Sequence, residues 1–382
     1  MDIFKFNSMT PPSNGQIIEG LTSKMWIERF NEAGEFTLIA PVASGVREKL
    51  PPGTFVSHTN TREVMVVENH EINDTKGKES EIKITGRSWI SILEQRIVGA
   101  NQTFPTGYTT VQEYILSQSE PWYQALNLIR DHISVNHVLN VTDIIPNVTL
   151  FTYLTVGNQA SYRRYGTPRK DLYVCLTELL KENNLGVKVT RPGPWAPIPT
   201  PPAPNDLILE VYVGADRSTT GFLATLGGAV VFSWDAEEVV SADYLWSNKK
   251  KKTAALLTGK WVESYFDSQP SVGGYNKRVM AIDASYLDDW MQTSPSGADR
   301  DNVTNAMSTL GSAVVSTQND VIITKAEITK EGTKNIYRDD YWVGDIVTVS
   351  GDYDVSSPMR VVEYVEIEDE TGESGYPTLA TL

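Results

Sequence analysis

Residues Val66–Gly77 read VVENHEINDTKG and residues Val361–Gly372 read VVEYVEIEDETG. Both fit Val-Val-Glu-x-x-Glu-Ile-x-Asp-x-x-Gly, and the rest of the chain is arranged around these two copies. A second matched piece stands before each: Gly53-Thr54-Phe55-Val56-Ser57 before the first, Gly344-Asp345-Ile346-Val347-Thr348-Val349 before the second. Val347 and Val349, then Val361, Val365 and Ile367, fall at even separations, as one buried face of a strand requires. The Asp-x-x-Gly ending supplies residues that tolerate the positive φ of a tight turn, so each copy reads as a β-hairpin. A short strand follows each turn, Glu81–Thr85 in the first copy and Thr378–Thr381 in the second. Agreement in order, spacing and turn position points to duplication, with related β domains at the two ends of the chain.

Outward from the repeats, the fold class reads as mainly β with α/β insertions. Residues 1–99 form one all-β unit. It opens with a strand holding Ile3, Phe4 and Phe6, and continues with Lys24–Phe30 and Glu35–Pro41 on either side of the hairpin connection Asn31-Glu32-Ala33-Gly34. Residues 100–205 are a mixed α/β segment. Apolar residues three and four apart predict helices at Thr110–Leu116 and Trp122–Ile129. In Asp171–Asn183, Leu172, Cys175, Leu176, Leu179 and Leu180 share one helical face, with Asp171 as N-cap and Asn183-Asn184-Leu185-Gly186 as the stop. Seven prolines between Arg191 and Asn205 make a stiff, extended spacer. Residues 206–258 open a second β unit with strands at Leu207–Val213 and Ala229–Trp234. A hairpin of Val239–Trp246 and Thr253–Leu257 follows, with the lysine-rich tip Ser247–Lys252. Residues 259–318 are an α/β insertion, and residues 319–382 complete the second unit.

The 382 residues carry a formal net charge of -15 and a pI near 4.8, which excludes a chain that grips nucleic acid through phosphates. An acidic wall would instead let DNA slide past without sticking. Neither a secretory signal nor an apolar run near ~20 residues is visible, so no membrane insertion is expected. Cys175 is the single cysteine and reads as a buried thiol. The four histidines, His58, His70, His132 and His137, lack metal-ligand spacing, and no nucleophile elbow, P-loop or dinucleotide fingerprint occurs. Asp283, Asp288 and Asp289 could supply the paired carboxyls of a glycosidase, but aspartates at a helix start serve as caps. Asp352 and Asp354, near Asp339 and Asp340, lack the residue order of a calcium loop. No catalytic, cofactor-binding or metal-ligating residue is therefore assigned, and no enzyme activity is expected.

Three stretches carry a resemblance: Trp26-Ile27-Glu28-Arg29-Phe30-Asn31-Glu32-Ala33-Gly34-Glu35-Phe36-Thr37-Leu38, Ile84-Thr85-Gly86-Arg87-Ser88, and Tyr341-Trp342-Val343-Gly344-Asp345-Ile346-Val347-Thr348-Val349. In order and endpoints they resemble the tail-tip baseplate hub proteins of siphophages. That group includes minor tail proteins of actinobacteriophages and the N-terminal hub modules of tail-associated lysins. The resemblance implies a homotrimeric structural virion protein, made in the host cytoplasm and placed at the tail tip. Each chain would give two related β-barrel (tube) domains to a pseudo-sixfold ring, with the two mixed segments as decoration. Implied partners are a distal tail protein ring or tail tube protein, the tape measure protein, and a central fibre or tip protein, with DNA passing through a gated channel. No cofactor is implied.

The chain stops at Leu382 directly after the last strand, so the lytic domain that follows the hub in lysins is not expected. Two other readings remain. A carbohydrate-binding host-recognition module would use some of the nine tryptophans and seventeen tyrosines. A tail-associated cell-wall hydrolase would use Asp283 with Asp288 or Asp289. Under the hub reading, assembly is expected to depend on barrel edges and on Trp26 and Trp342.

Overall fold

The structure is a computed structural model. It describes the chain except residues 7–14, 75–79, 99–113, 117–118, 134–147, 153–162, 166–169, 192–206, 248, 250, 289–296, 317–320, 330–333 and 352–354. The first unit holds β1 (Ile3–Phe6), β2 (Gln16–Ile17), β3 (Ser23–Arg29), β4 (Glu35–Pro41), the single-turn α1 (Val46–Lys49), β5 (Phe55–His58), β6 (Met65–Asn73) and β7 (Glu81–Ser88). They pair antiparallel in the order β3-β4-β7-β6-β5-β1-β2. Strand alternation divides their side chains between two cores. Trp26, Leu38, Val56, Met65 and Val67 pack inward with Val46 and Leu50 of the α1 turn. Phe4, Phe6, Val64 and Val66 face the other way, against the mixed segment.

That mixed segment comprises β8 (Tyr114–Leu116), α2 (Pro121–Ile133), β9 (Val148–Thr152), β10 (Arg163–Tyr165), α3 (Leu172–Glu182), β11 (Gly186–Thr190) and β12 (Leu207–Tyr212). The apolar stripe of α3 is buried as expected. Asn184 takes φ 52° and the Leu185 N–H donates to the Leu180 carbonyl at 2.9 Å, ending the helix. Asp171 occupies the N-cap position, but its carboxylate makes no capping hydrogen bond. The helix expected at Thr110–Leu116 is, at Tyr114–Leu116, the strand β8, antiparallel to β10. A short apolar run carries no period that separates helix from strand. The proline-rich spacer lies outside the described residues apart from Arg191.

The remaining elements are β13 (Val231–Ser233), β14 (Val239–Ser247), β15 (Ala254–Thr258), β16 (Glu263–Asp267), β17 (Val279–Asp283), α4 (Ser285–Asp288), α5 (Gly297–Ser316), β18 (Val321–Ile328), β19 (Ile346–Ser350), β20 (Ser356–Asp369) and β21 (Gly372–Thr381). Two pairings differ from expectation. β12, expected in the second β unit, lies instead between β11 and β9 in the sheet of the mixed segment. β14 and β15 do not form a lysine-tipped hairpin: β14 pairs with β18, while β15 joins β16 and β17 in a separate three-stranded sheet packed on α5. Alternation along a strand specifies which face is buried, not whether the neighbour is local.

The duplication is visible strand for strand, shifted by one residue from the sequence match. Gly53 (φ 87°) and Gly344 (φ 100°) each donate a backbone hydrogen bond, to the carbonyls of Val67 and Val361. Phe55 and Val56 then pair with Val66 and Met65, as Ile346 and Val347 pair with Arg360 and Met359. A bulge falls between Val67 and Asn69 in one copy and between Val361 and Glu363 in the other. Past it, Thr85 and Thr378 occupy the same place. Val361 thus corresponds in space to Val67, not to Val66. A one-residue slip would turn every side chain to the wrong face, and Val67 is the copy that points into the inner core. The order β3-β4-β7-β6-β5 recurs as β14-β18-β21-β20-β19, and among the described residues no hydrogen-bonded pair closes either set on itself.

Candidate functional site

The two units meet along a seam. Glu363–Glu368 of β20 run antiparallel to Lys24–Arg29 of β3, which joins both units into one thirteen-stranded sheet. The repeat motif places carboxylates on this stretch, and the first unit brings cations to them. Arg29 donates to Glu363 at 2.7 Å and to Glu35 at 2.7 Å. Lys24 donates to Glu368 at 2.7 Å, and the Met1 amino group reaches the other oxygen of Glu368 at 2.6 Å.

At the centre of the seam lies a largely buried cluster. Arg338 donates to Glu28 at 3.0 Å and to Glu366 at 2.8 Å. Glu28 also accepts from the hydroxyls of Thr61 and Tyr337, each at 2.5 Å. Burial alone pushes the Glu28 carboxyl up, but Arg338, Thr61 and Tyr337 outweigh it and hold the group down at about 2. Burial and the Arg338 charge bring His58 down to about 3, so its ring is neutral and packs edge-on against Trp26, with centroids 4.8 Å apart. Glu63 is the opposite case: burial, then the neighbouring Glu28 charge, push it up to about 8.

Phe30, just past β3, ties three parts together. Its N–H donates to the Val362 carbonyl at 3.0 Å, and its carbonyl accepts from Val187 of β11 at 3.0 Å. The ring, 2% exposed, sits edge-on to Tyr212 at 5.6 Å with the Arg360 guanidinium 5.0 Å from its centroid. Gly186 and Gly344 form its walls, where an added Cβ would come within 2.5 and 2.6 Å of the ring.

Of the carboxylates considered for hydrolysis, Asp283 and Asp288 are described, and each is held by nearby backbone N–H groups. Asp288 is fully buried and accepts from the backbone N–H groups of Lys260, Trp261 and Val262 at 2.8, 2.6 and 3.0 Å, pinning the β15–β16 turn. Asp283 is exposed and accepts from the Ser285 N–H at 2.9 Å; Asp289, Asp352 and Asp354 lie outside the described residues. Asp288→Ala is therefore expected to destabilise the insertion by roughly 1–3 kcal/mol per stranded donor. Thermal unfolding checks this, and an unchanged melting profile would contradict the pinning role.

Trp26 is wholly buried and stacks on Phe36, so it is a core residue and not an assembly contact. Trp342 is 39% exposed, with Arg217 over one face at 4.9 Å. Cys175 is buried without a disulfide. His70 donates to the Leu50 carbonyl and His132 to that of Leu128, each at 2.7 Å, while His137 lies outside the described residues. Among the described residues no three His, Cys, Asp or Glu gather as a metal site, and no helix is long and apolar enough to cross a membrane. Sequence gives Glu28, Phe30 and Arg338 no individual role; Glu28 and Phe30 fall in the first resemblance stretch, and the repeated Glu-x-x-Glu, whose second copy faces the seam, is the other signal toward them.

The family model of the Siphovirus ReqiPepy6 Gp37-like protein matches residues 14–378. Among solved structures, the chain is similar to prophage tail protein gp18 from Listeria monocytogenes EGD-e, with 12% identity and TM-score 0.55, covering 100% of this chain and 95% of that one. The tail protein from Neisseria meningitidis MC58 is similar at 11% identity and TM-score 0.50, covering 100% and 95%. The 43 kDa tail protein of prophage MuSo2 from Shewanella oneidensis is similar at 11% identity and TM-score 0.50, covering 100% and 98%. At such identities the likeness is one of fold. No curated protein matches the sequence.

Proposed function

The chain belongs to the Siphovirus ReqiPepy6 Gp37-like family of phage tail proteins, and from that membership we propose that it is the homotrimeric hub of the tail tip. In this reading each copy gives two β-barrel domains to a ring, the first formed by residues 1–99 and the second by the two parts of the later β unit. The mixed segments decorate the ring. It joins the distal tail protein ring or tail tube to a central fibre or tip protein, contacts the tape measure protein, and gates DNA without binding it specifically. The observation that carries the reading is the strand-for-strand duplication, because a ring that meets a sixfold tube with half as many chains needs two equivalent modules in each. The net charge of -15 suits a channel wall that does not retain DNA.

Light scattering at several concentrations, with negative-stain images, tests this. The expected result is a ring-shaped trimer with six lobes. A monomer that also ignores distal tail protein would sink the hub reading and favour the carbohydrate-binding one, which a glycan array then checks.

A further inference from the structure

One strand pairing occurs inside the chain where its pseudo-symmetric counterpart does not. Along Glu363–Glu368, β20 has β21 on one side and β3 on the other. Its counterpart β6 has β7 along Asn69–Asn73, and among the described residues no strand lies on the other side. Likewise β3 sits between β4 and β20, whereas its counterpart β14 has β18 alone. The two open edges are the two halves of the joint that β20 and β3 already make.

We infer that the open edge of β6 pairs antiparallel with β14 of a second copy of this chain, in the register used by β20 and β3. The correspondence of β14 with β3 runs through β18, where Glu327 pairs with Thr378 as Thr37 pairs with Thr85. Ser241 and Ala242 then stand where Met25 and Trp26 stand. Val365 opposite Ile27 becomes Glu71 opposite Asp243 of the partner subunit, and Ile367 opposite Met25 becomes Asn73 opposite Ser241 of the partner subunit.

Among the described residues each half carries an exposed apolar side chain, Ile72 at 45% and Val240 at 55%, which the pairing would cover. Both acids of the joint have a lysine beside them on the inner strand, Lys83 next to Glu71 and Lys325 next to Asp243, so the row across the joint is balanced in charge. Unlike edges meet, so the contact is heterologous and repeats from copy to copy. The pairing specifies the interface of the proposed ring and rests on that reading only for closure.

The test is a cross-link in the full chain carrying Asn73→Cys and Ser241→Cys. At the seam the Phe30 N–H bonds to the Val362 carbonyl, which makes Ile367–Met25, and by correspondence Asn73–Ser241, a non-hydrogen-bonded pair close enough for a disulfide. The control, Asn73→Cys with Ala242→Cys, puts the thiols on opposite faces. After oxidation, a ladder of covalently joined chains is expected from the first variant alone, with light scattering run on the same samples. A ring-sized particle that does not cross-link at this pair, or cross-links equally in the control, overturns the register and leaves the ring reading standing. A monomer that still cross-links selectively supports the edge pairing and overturns the stable ring. A monomer without cross-links overturns both.

Discussion

Phe30→Ala is expected to lower the free energy of unfolding by about 3–5 kcal/mol. The ring is 2% exposed, and the surroundings cannot collapse into the space it leaves, because two of its walls are the backbones of Gly186 and Gly344. Gly344 is further fixed by its φ of 100°, a conformation that suits glycine and few other residues. The loss would fall on three parts at once: the end of β3, the second unit through Val362, and β11 through Val187. Urea unfolding read by tryptophan fluorescence gives the number. Phe30→Leu, which keeps most of the volume, should recover a large part of it. A cost for Phe30→Ala below ~1 kcal/mol, less than burying two methylenes, would mean that the parts are not held together here.

Arg338→Met is the second large effect, expected to cost roughly 3 kcal/mol near neutral pH, because Glu28 and Glu366 lose the cation that compensates their burial. The pH dependence identifies the cause. In the native protein the Glu28 carboxyl is held down at about 2, so its stabilising contribution is complete above the ordinary carboxylate range near 4.5 and is lost as pH falls toward 2. Without Arg338 burial dominates, Glu28 takes up protons more readily folded than unfolded, and stability should decline as pH rises through neutrality. Adding Glu28→Gln to the variant should remove much of that decline. Arg338 also has φ 70°, a strained value for a residue with a side chain. Arg338→Gly should therefore be less damaging than Arg338→Met by about 1 kcal/mol, if released strain offsets part of the lost ion pairs.

The repeat motif made the β character and the duplication legible, and the α3 stripe and the Lys24–Pro41 hairpin were equally plain because their partners are local. What the sequence did not reveal was pairing across distance. β14 and β12 look like any half-buried strand, and nothing in their alternation names β18, or β11 and β9, as neighbours. The matched valines aligned Val66 with Val361, whereas the hydrogen bonds from Gly53 and Gly344 align Val67 with Val361. Letters can match one residue away from the shared geometry when neighbouring positions carry the same side chain. The seam cluster was hidden for a related reason. Glu28 sits more than three hundred positions from Tyr337 and Arg338. In sequence Asp288 looks like a helix-start residue, and only the folded β15–β16 turn shows the three backbone donors that hold it.

The seam also has a consequence for synthesis. Arg29 and Glu363 are 334 positions apart, so β3 leaves the ribosome long before the strand that covers it. Through that interval the nascent chain presents a β3 edge built to accept β20, and any nearby copy that has finished β20 can fill it. The product would be a domain-swapped pair, with the hydrogen bonds of the β3–β20 seam made between two molecules instead of within one. Low copy density favours the correct intramolecular closure. Strong overexpression favours the swap, so rapid recombinant production should yield more swapped dimer than slow production from the same gene.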